Sequence, residues 1–208
     1  MIEIKHKRSG AVLTRVDAEG LEGRKLAGVN LRGANLAGMN LEKANLSNCD
    51  LREADLRNAN LTGAAFLETS LVGANLEGAD ASGADFTSAD LQNSHFVAAI
   101  AHGANFRYAK LNGADFCDAD LTGSDLSMAE LRSNFAGAKM IRVDMRGSAL
   151  HGANMMGANL QNANLTNAQV DDATLLGANL VGATDPQGRK VTSVAVEKDS
   201  RPWWQFWK

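Results

Sequence analysis

Residues 71–90, LVGANLEGADASGADFTSAD, are four consecutive copies of one five-residue pattern. Each copy opens on a centre (Leu71, Leu76, Ala81, Phe86), passes through two mostly polar positions and a small residue, and closes on Asp or Asn. No regular helix or strand keeps such a stripe on one side. A helix advances about 500° in five residues, so the stripe drifts by roughly 140° per copy, while a continuous strand sends alternate copies to opposite faces. The chain has to turn a corner every five residues.

If each corner is near a right angle, four copies close a square coil of twenty residues and the next coil stacks on it. The large centres test that period. Phe66, Phe86 and Phe106 recur every twenty residues, and Phe96 and Phe116 form a second ladder offset by ten, on the opposite side of the square. Ala81 and Ala101, also twenty apart, are small centres in the same coils. An interior of fixed volume per layer needs small residues on one wall where others carry rings.

Repeated copies of Ala-(Asp/Asn)-Leu, such as Ala34-Asn35-Leu36, make the chain similar to the pentapeptide-repeat family over residues 21–184. The resemblance implies an all-β fold, a right-handed quadrilateral parallel β-helix. Centres fall every five residues from Leu21 to Leu131, giving 23, and ten more run from Phe135 to Leu180. That makes about eight coils, or a rod near 40 Å long at roughly 4.8 Å per stacked strand. The step from Leu131 to Phe135 is only four residues, a one-residue phase slip at 131–135 across which Phe135 extends the Phe96 and Phe116 ladder. A tightened corner or small bulge is expected there. Lys139, Val143 and Ala149 depart from the pattern and mark the expected place of a kink. Met39 and Thr69 are large for the inward small site.

The flanks do not repeat. Residues 1–20 read as a cap, with Ile2 and Ile4 alternating, a turn at Arg8-Ser9-Gly10, and a second strand over 11–16. Such a hairpin covers the open edge of the first coil. Residues 185–208 form a C-terminal extension that opens on the turn Asp185-Pro186-Gln187-Gly188 and ends in Trp203, Trp204, Phe206 and Trp207. Exposing that aromatic cluster is expensive. It serves as a cap over the last coil, as a homodimer contact like the C-terminal contacts of the family's resistance proteins, or as a weak membrane-surface or partner contact.

No segment reaches the apolar length of a spanning helix, and MIEIKHKRSGAVL lacks the long apolar core of a signal peptide, so a cytoplasmic location is expected. Cys49 reads as a small inward residue and Cys117 as outward, more than three coils apart and beyond disulfide reach. His95, His102 and His151 fall in separate coils and read as solvated. No serine and carboxylate join them in a cleft, no Cys/His ligand set appears, and no phosphate loop or basic stripe occurs. Catalytic, cofactor-binding and metal residues are therefore none, no cofactor is expected, and neither is direct nucleic-acid binding.

Charge is uneven. Residues 68–130 hold ten acids against Arg107 and Lys110, a local charge of −8 within a chain of net charge −3. Asp80, Asp85, Asp90, Asp115, Asp118, Asp120, Asp125 and Glu130 form the candidate interaction surface, beside a basic collar of Arg132, Lys139, Arg142 and Arg146. Asp and Asn before each centre suit backbone amides at the corner and keep a rod soluble. The reading that follows is a non-catalytic, protein-binding scaffold rod whose partner is unidentified. The alternative implied by the resemblance is duplex-DNA mimicry, since some relatives are acidic rods that bind DNA gyrase or topoisomerase IV and confer fluoroquinolone resistance; the inter-coil loops that some of them carry are absent here. A structural spacer with a membrane-seeking tail is the third reading.

Overall fold

The computed structural model describes residues 1–192. Strands β1 (Ile2–Lys5) and β2 (Val12–Val16) pair antiparallel as a hairpin. Beyond it the backbone winds as a right-handed quadrilateral β-helix. Each coil gives one bridge residue to each of four parallel ladders, and paired positions lie twenty residues apart, as in Asn35↔Asp55↔Asn75 and Asn40↔Asn60↔Asp80.

The five-residue pattern follows from where the backbone amides go. In the unit Leu76–Asp80, the Leu76 amide donates to the His95 carbonyl of the next coil (2.7 Å), Gly78 to Val97 (3.0 Å), and Asp80 to Ala59 of the preceding coil (3.0 Å). Ala79 donates to Leu76 across the corner at 3.0 Å. The remaining amide, of Glu77, is taken by Asn75 Oδ1 at 2.9 Å. A polar side chain of this length before the centre is thus a backbone requirement. At each regular corner the second residue after the centre has positive φ, as in a type II turn. Gly78 (φ 65°) is favoured there twice over, because a Cβ would also lie 2.5 Å from Asn58 Oδ1.

Centres and small residues fill the interior. The rings of Phe66, Phe86 and Phe106 stack at 4.8 Å, and Phe96, Phe116 and Phe135 stack at 4.5 and 5.2 Å. The two stacks meet edge to face across the square, at 5.9 Å between Phe86 and Phe96. Ala81 and Ala101 are buried beside them. Polar residues at the small site are satisfied by centre carbonyls: Thr69 Oγ1 bonds Leu46 O at 2.8 Å and Cys49 Sγ bonds Leu26 O at 3.0 Å. Thr69 is fully buried, whereas Met39 is only half-buried, its length carrying part of it outward.

The short step at 131–134 removes one turn residue. Bridges from Asp115↔Asn134 to Glu130↔Ala149 span nineteen residues, and those from Asn134↔Asn154 onward span twenty again. No residue between Met128 and Gly137 has positive φ. Ser133 occupies the small inward site and donates to Leu111 O at 2.6 Å, while the Phe116–Phe135 stack opens to 5.2 Å and 18°. The ladders continue through Lys139↔Asn159 and Ala149↔Gln169, so the irregularity lies at the missing turn residue and not at 139–149, where the outward Lys139 and Ala149 and the buried Val143 leave the backbone pairing intact.

The first coil is sealed by the hairpin. Asn35 donates to Lys5 O and Lys7 to Gly33 O, both at 2.8 Å, and Ile4 is fully buried over the interior. At the other end the chain turns at Asp185, whose Oδ1 accepts the Gln187 and Arg189 amides at 3.0 and 2.8 Å. It then runs back antiparallel over the last coil: Gly182 donates to Val191 O and Val191 to Ala183 O, both at 2.9 Å.

Candidate interaction surface

Outward residues are sorted by the coil into four flat faces and four corners. The acidic residues do not share a face. Asp115 lies in the ladder with His95, Asp80 and Asp120 in the ladder with Ile100, Asp85 and Asp125 in the ladder with Asn105, and Asp90 and Glu130 flank Lys110. Asp118 is a corner residue, with its side chain over Gly137. The eight residues therefore form a girdle around the rod.

Most of these carboxylates are also structural. Oδ1 of Asp80, Asp85, Asp115, Asp120 and Asp125 accepts the amide two residues on, at 2.8–3.1 Å. Glu130 Oε2 accepts from Asn112 Nδ2 at 2.6 Å. Asp120 is the most perturbed. Partial burial raises its pKa, but the bonds from His102 and from Thr122 more than offset this and bring it down to about 2. His102 Nε2 lies 3.0 Å and Lys139 Nζ 3.5 Å from Asp120 Oδ2. His102 and His151 are therefore exposed but engaged rather than merely solvated, His151 lying 3.4 Å from Asp171 and 2.8 Å from Gln169. Elsewhere arginine forks clamp the ladder: Arg52 and Arg57 each bond the aspartate two residues before them, which holds Asp50 and Asp55 below the ordinary carboxylate range.

The basic residues occupy three sides. Arg142, Arg146 and Arg132 stand on three different corners and Lys139 on a face between, with Arg146 held by Asp144 at 2.6 Å. The fourth corner is different in kind. There Val97, Cys117, Ala136, Met156 and Leu176 follow one another on consecutive coils, each the residue just after a centre. Met156 and Leu176 are each 48% exposed, and Gly137, Gly157 and Gly177 run beside them. Asp118 is the one charged residue at this corner from Val97 to Gly177. Sequence reasoning missed this ridge because it followed the centres; the position after the centre, read at coil spacing, carries the signal. The aromatic residues Trp203, Trp204, Phe206 and Trp207 lie outside the described residues.

Among the described residues no cluster of three or more His, Cys, Asp or Glu is placed to hold a metal ion, and no helix is long and apolar enough to cross a membrane. Cys49 is buried and Cys117 half-exposed, both free thiols.

No curated protein sequence matches the chain. Among solved structures it is similar to a pentapeptide repeat protein from the Arabidopsis thaliana thylakoid lumen, 40% identical over 51% of this chain and 65% of that one, with a TM-score of 0.39. A trypsin-treated form of QnrB1, a plasmid-mediated fluoroquinolone resistance protein, is 23% identical over 80% of this chain and 83% of that one at a TM-score of 0.50, a likeness of fold. HetL from the cyanobacterium Nostoc, involved in heterocyst differentiation regulation, is 24% identical over 83% of this chain and 94% of that one, with a TM-score of 0.26. The family model for pentapeptide repeats matches in eight copies, over residues 25–63, 59–96, 102–133, 132–167 and 153–184. With matches across most of its length and a four-ladder coil that uses every feature of the repeat, the chain belongs to the pentapeptide-repeat family.

Proposed function

We propose that the chain is a non-catalytic rod that binds a protein partner through its outer faces. One observation carries this reading: the interior is filled by buried centres, while the outer positions repeat at coil pitch on four flat faces. Such a surface suits an extended, rigid contact. The girdle supplies long-range attraction and orientation toward a cationic partner.

The test exploits the double role of the aspartates. Changing Asp80, Asp85, Asp115 and Asp120 to Asn keeps an acceptor for each corner amide and removes four charges. A partner captured by the wild type and lost by this variant supports the reading. Capture by both moves the contact off the girdle, and the absence of any stoichiometric partner overturns it.

A second reading, topoisomerase-directed DNA mimicry, is favoured by charge density. Residues 68–130 carry −8 over about three coils. At roughly 4.8 Å per coil that is one charge per about 2 Å, close to the roughly 1.7 Å of duplex DNA. The matched length is only about 15 Å, some four base pairs, which makes this the weaker reading. It predicts salt-sensitive inhibition of gyrase supercoiling by the wild type and none by the four-Asn variant; supercoiling unaffected by either overturns it.

A further inference from the structure

The apolar corner runs from Val97 to Leu176 over four coil steps, about 19 Å. Backbone bonds place its members directly above one another: Ala98 donates to Cys117 O, Asp118 to Ala136 O, Gly137 to Met156 O and Gly157 to Leu176 O, all at 2.9–3.0 Å. At Gly157 and Gly177 the flank of the ridge is bare, whereas the Asp118 side chain lies over Gly137. A Cβ at Gly157 would meet nothing within 4 Å, so a shelf of backbone lies beside the Met156 and Leu176 side chains. At the same levels the other corners carry Arg107 and Arg146, Arg132 and Asp171, and Arg142. Below Val97 the same corner reverts to Arg57 and Glu77. The apolar stretch is thus confined to the half of the rod nearer the last coil. An apolar stripe that is exposed at Met156 and Leu176 and half-buried at Val97, Cys117 and Ala136 calls for a cover.

The course of the chain indicates which cover. After the Asp185 turn it travels backward along the last coil, with Lys190 opposite Thr184 and Val191 bonded to Ala183 and Gly182. That direction leads past the Leu180 face to the corner at Leu176 and Gly177. Among the described residues no carbonyl above the last coil bonds the amides of Leu180, Gly177 or Leu175. Trp203 comes twelve residues after Val191, a reach of up to about 40 Å for extended chain. The path back to Leu176 takes about 17 Å and the ridge beyond it about 19 Å. Rings are the side chains suited to an apolar ridge with a glycine shelf, since they bury much area for few torsions.

We propose that the segment 193–208 of this same chain docks on the apolar corner, with the rings of Trp203, Trp204, Phe206 and Trp207 against Leu176, Met156, Ala136 and Cys117. The occupant is in cis, and the corner is a permanent seat for the tail rather than a partner site. This is independent of which partner the charged girdle binds.

The chain carries its own reporters. All three tryptophans are in the tail, and Cys117 sits mid-ridge while Cys49 is buried. Two variants of the full chain suffice: Met156→Lys with Leu176→Lys, which spoils the ridge at exposed positions, and a tail variant with Trp203, Trp204, Phe206 and Trp207 changed to Ser. Tryptophan emission of the wild type is expected to be blue-shifted and to move red in the ridge variant. Maleimide labelling of Cys117 is expected to be at least about tenfold faster in the tail variant than in the wild type. Solvent-like emission in the wild type, or equal labelling rates, overturns the proposal. Protection that disappears on dilution, together with a dimer in light scattering, also overturns it, in favour of a second copy as occupant. Blue-shifted emission untouched by the ridge variant overturns it in favour of a tail lying over the end of the last coil.

Discussion

At the scale of single residues, the aspartate or asparagine before each centre does two separable things. Its oxygen accepts a corner amide, and, if it is aspartate, its charge joins the outer field. Asp85 shows the division, accepting the Thr87 amide at 3.0 Å and the Thr87 hydroxyl at 2.5 Å. Asp85→Asn is expected to leave stability within about 0.5 kcal/mol in urea unfolding, and Asp85→Ala to cost about 1 kcal/mol, the usual worth of such a bond. Asp120 adds a pH dependence. Its folded-state pKa of about 2 lies below the ordinary 3.8, so its contribution is present above about pH 4 and is lost as pH falls toward 2. Unfolding curves between pH 4 and pH 2 should therefore fall less steeply for Asp120→Asn than for the wild type. The bond from His102 is the largest single cause of the lowering, and His102→Gln should reproduce part of that flattening.

At the scale of the element, the unit is one face plus one corner, and its length is fixed by the turn. The step at 131–134 has dispensed with the left-handed turn residue and the ladders have closed over the gap. Inserting Gly between Arg132 and Ser133 restores the sequence of a full unit, with Ser133 still inward and Asn134 still in the ladder. Thermal and urea unfolding are expected to place that insertion within about 1 kcal/mol of the wild type. The same Gly inserted after Gly83, where the unit is already complete, lengthens a corner in the middle of the stacked rings and is expected to cost more than about 2 kcal/mol. Much of this was legible in the sequence: the period, the corner, the phenylalanine ladders and the position of the short step all follow from the spacing of the centres. The fate of that step was not, because a missing residue looks the same whether taken from the corner or from the face. The inward Ser133, its bond to Leu111 O and the lost positive-φ residue show that the corner gave way, the first of the two outcomes expected there.

At the scale of the whole molecule, every coil bonds only its two neighbours, so stability is a sum of stacking steps closed by caps. Removing residues 71–90, one full coil, joins Ser70 to Leu91 in the same phase, and the shortened chain should still unfold in one transition, at lower denaturant and with a smaller slope. The distribution of outward residues is where sequence reading fell short. The acids read as one belt because they are close in sequence, yet the coil deals them to four ladders; the apolar corner was invisible because its members are nineteen or twenty residues apart and none is a centre. The hairpin on the first coil has a further consequence, for the order in which the rod comes into being. Ile4 and the Lys5 carbonyl present a finished template, and each later coil needs only the row of amides and carbonyls laid down just before it. A ribosome delivers that template first, so the protein can wind itself as it is made, one turn per twenty residues released, like thread taken up on a spool. Arrest-peptide measurements at successive chain lengths should register this as force pulses at that interval.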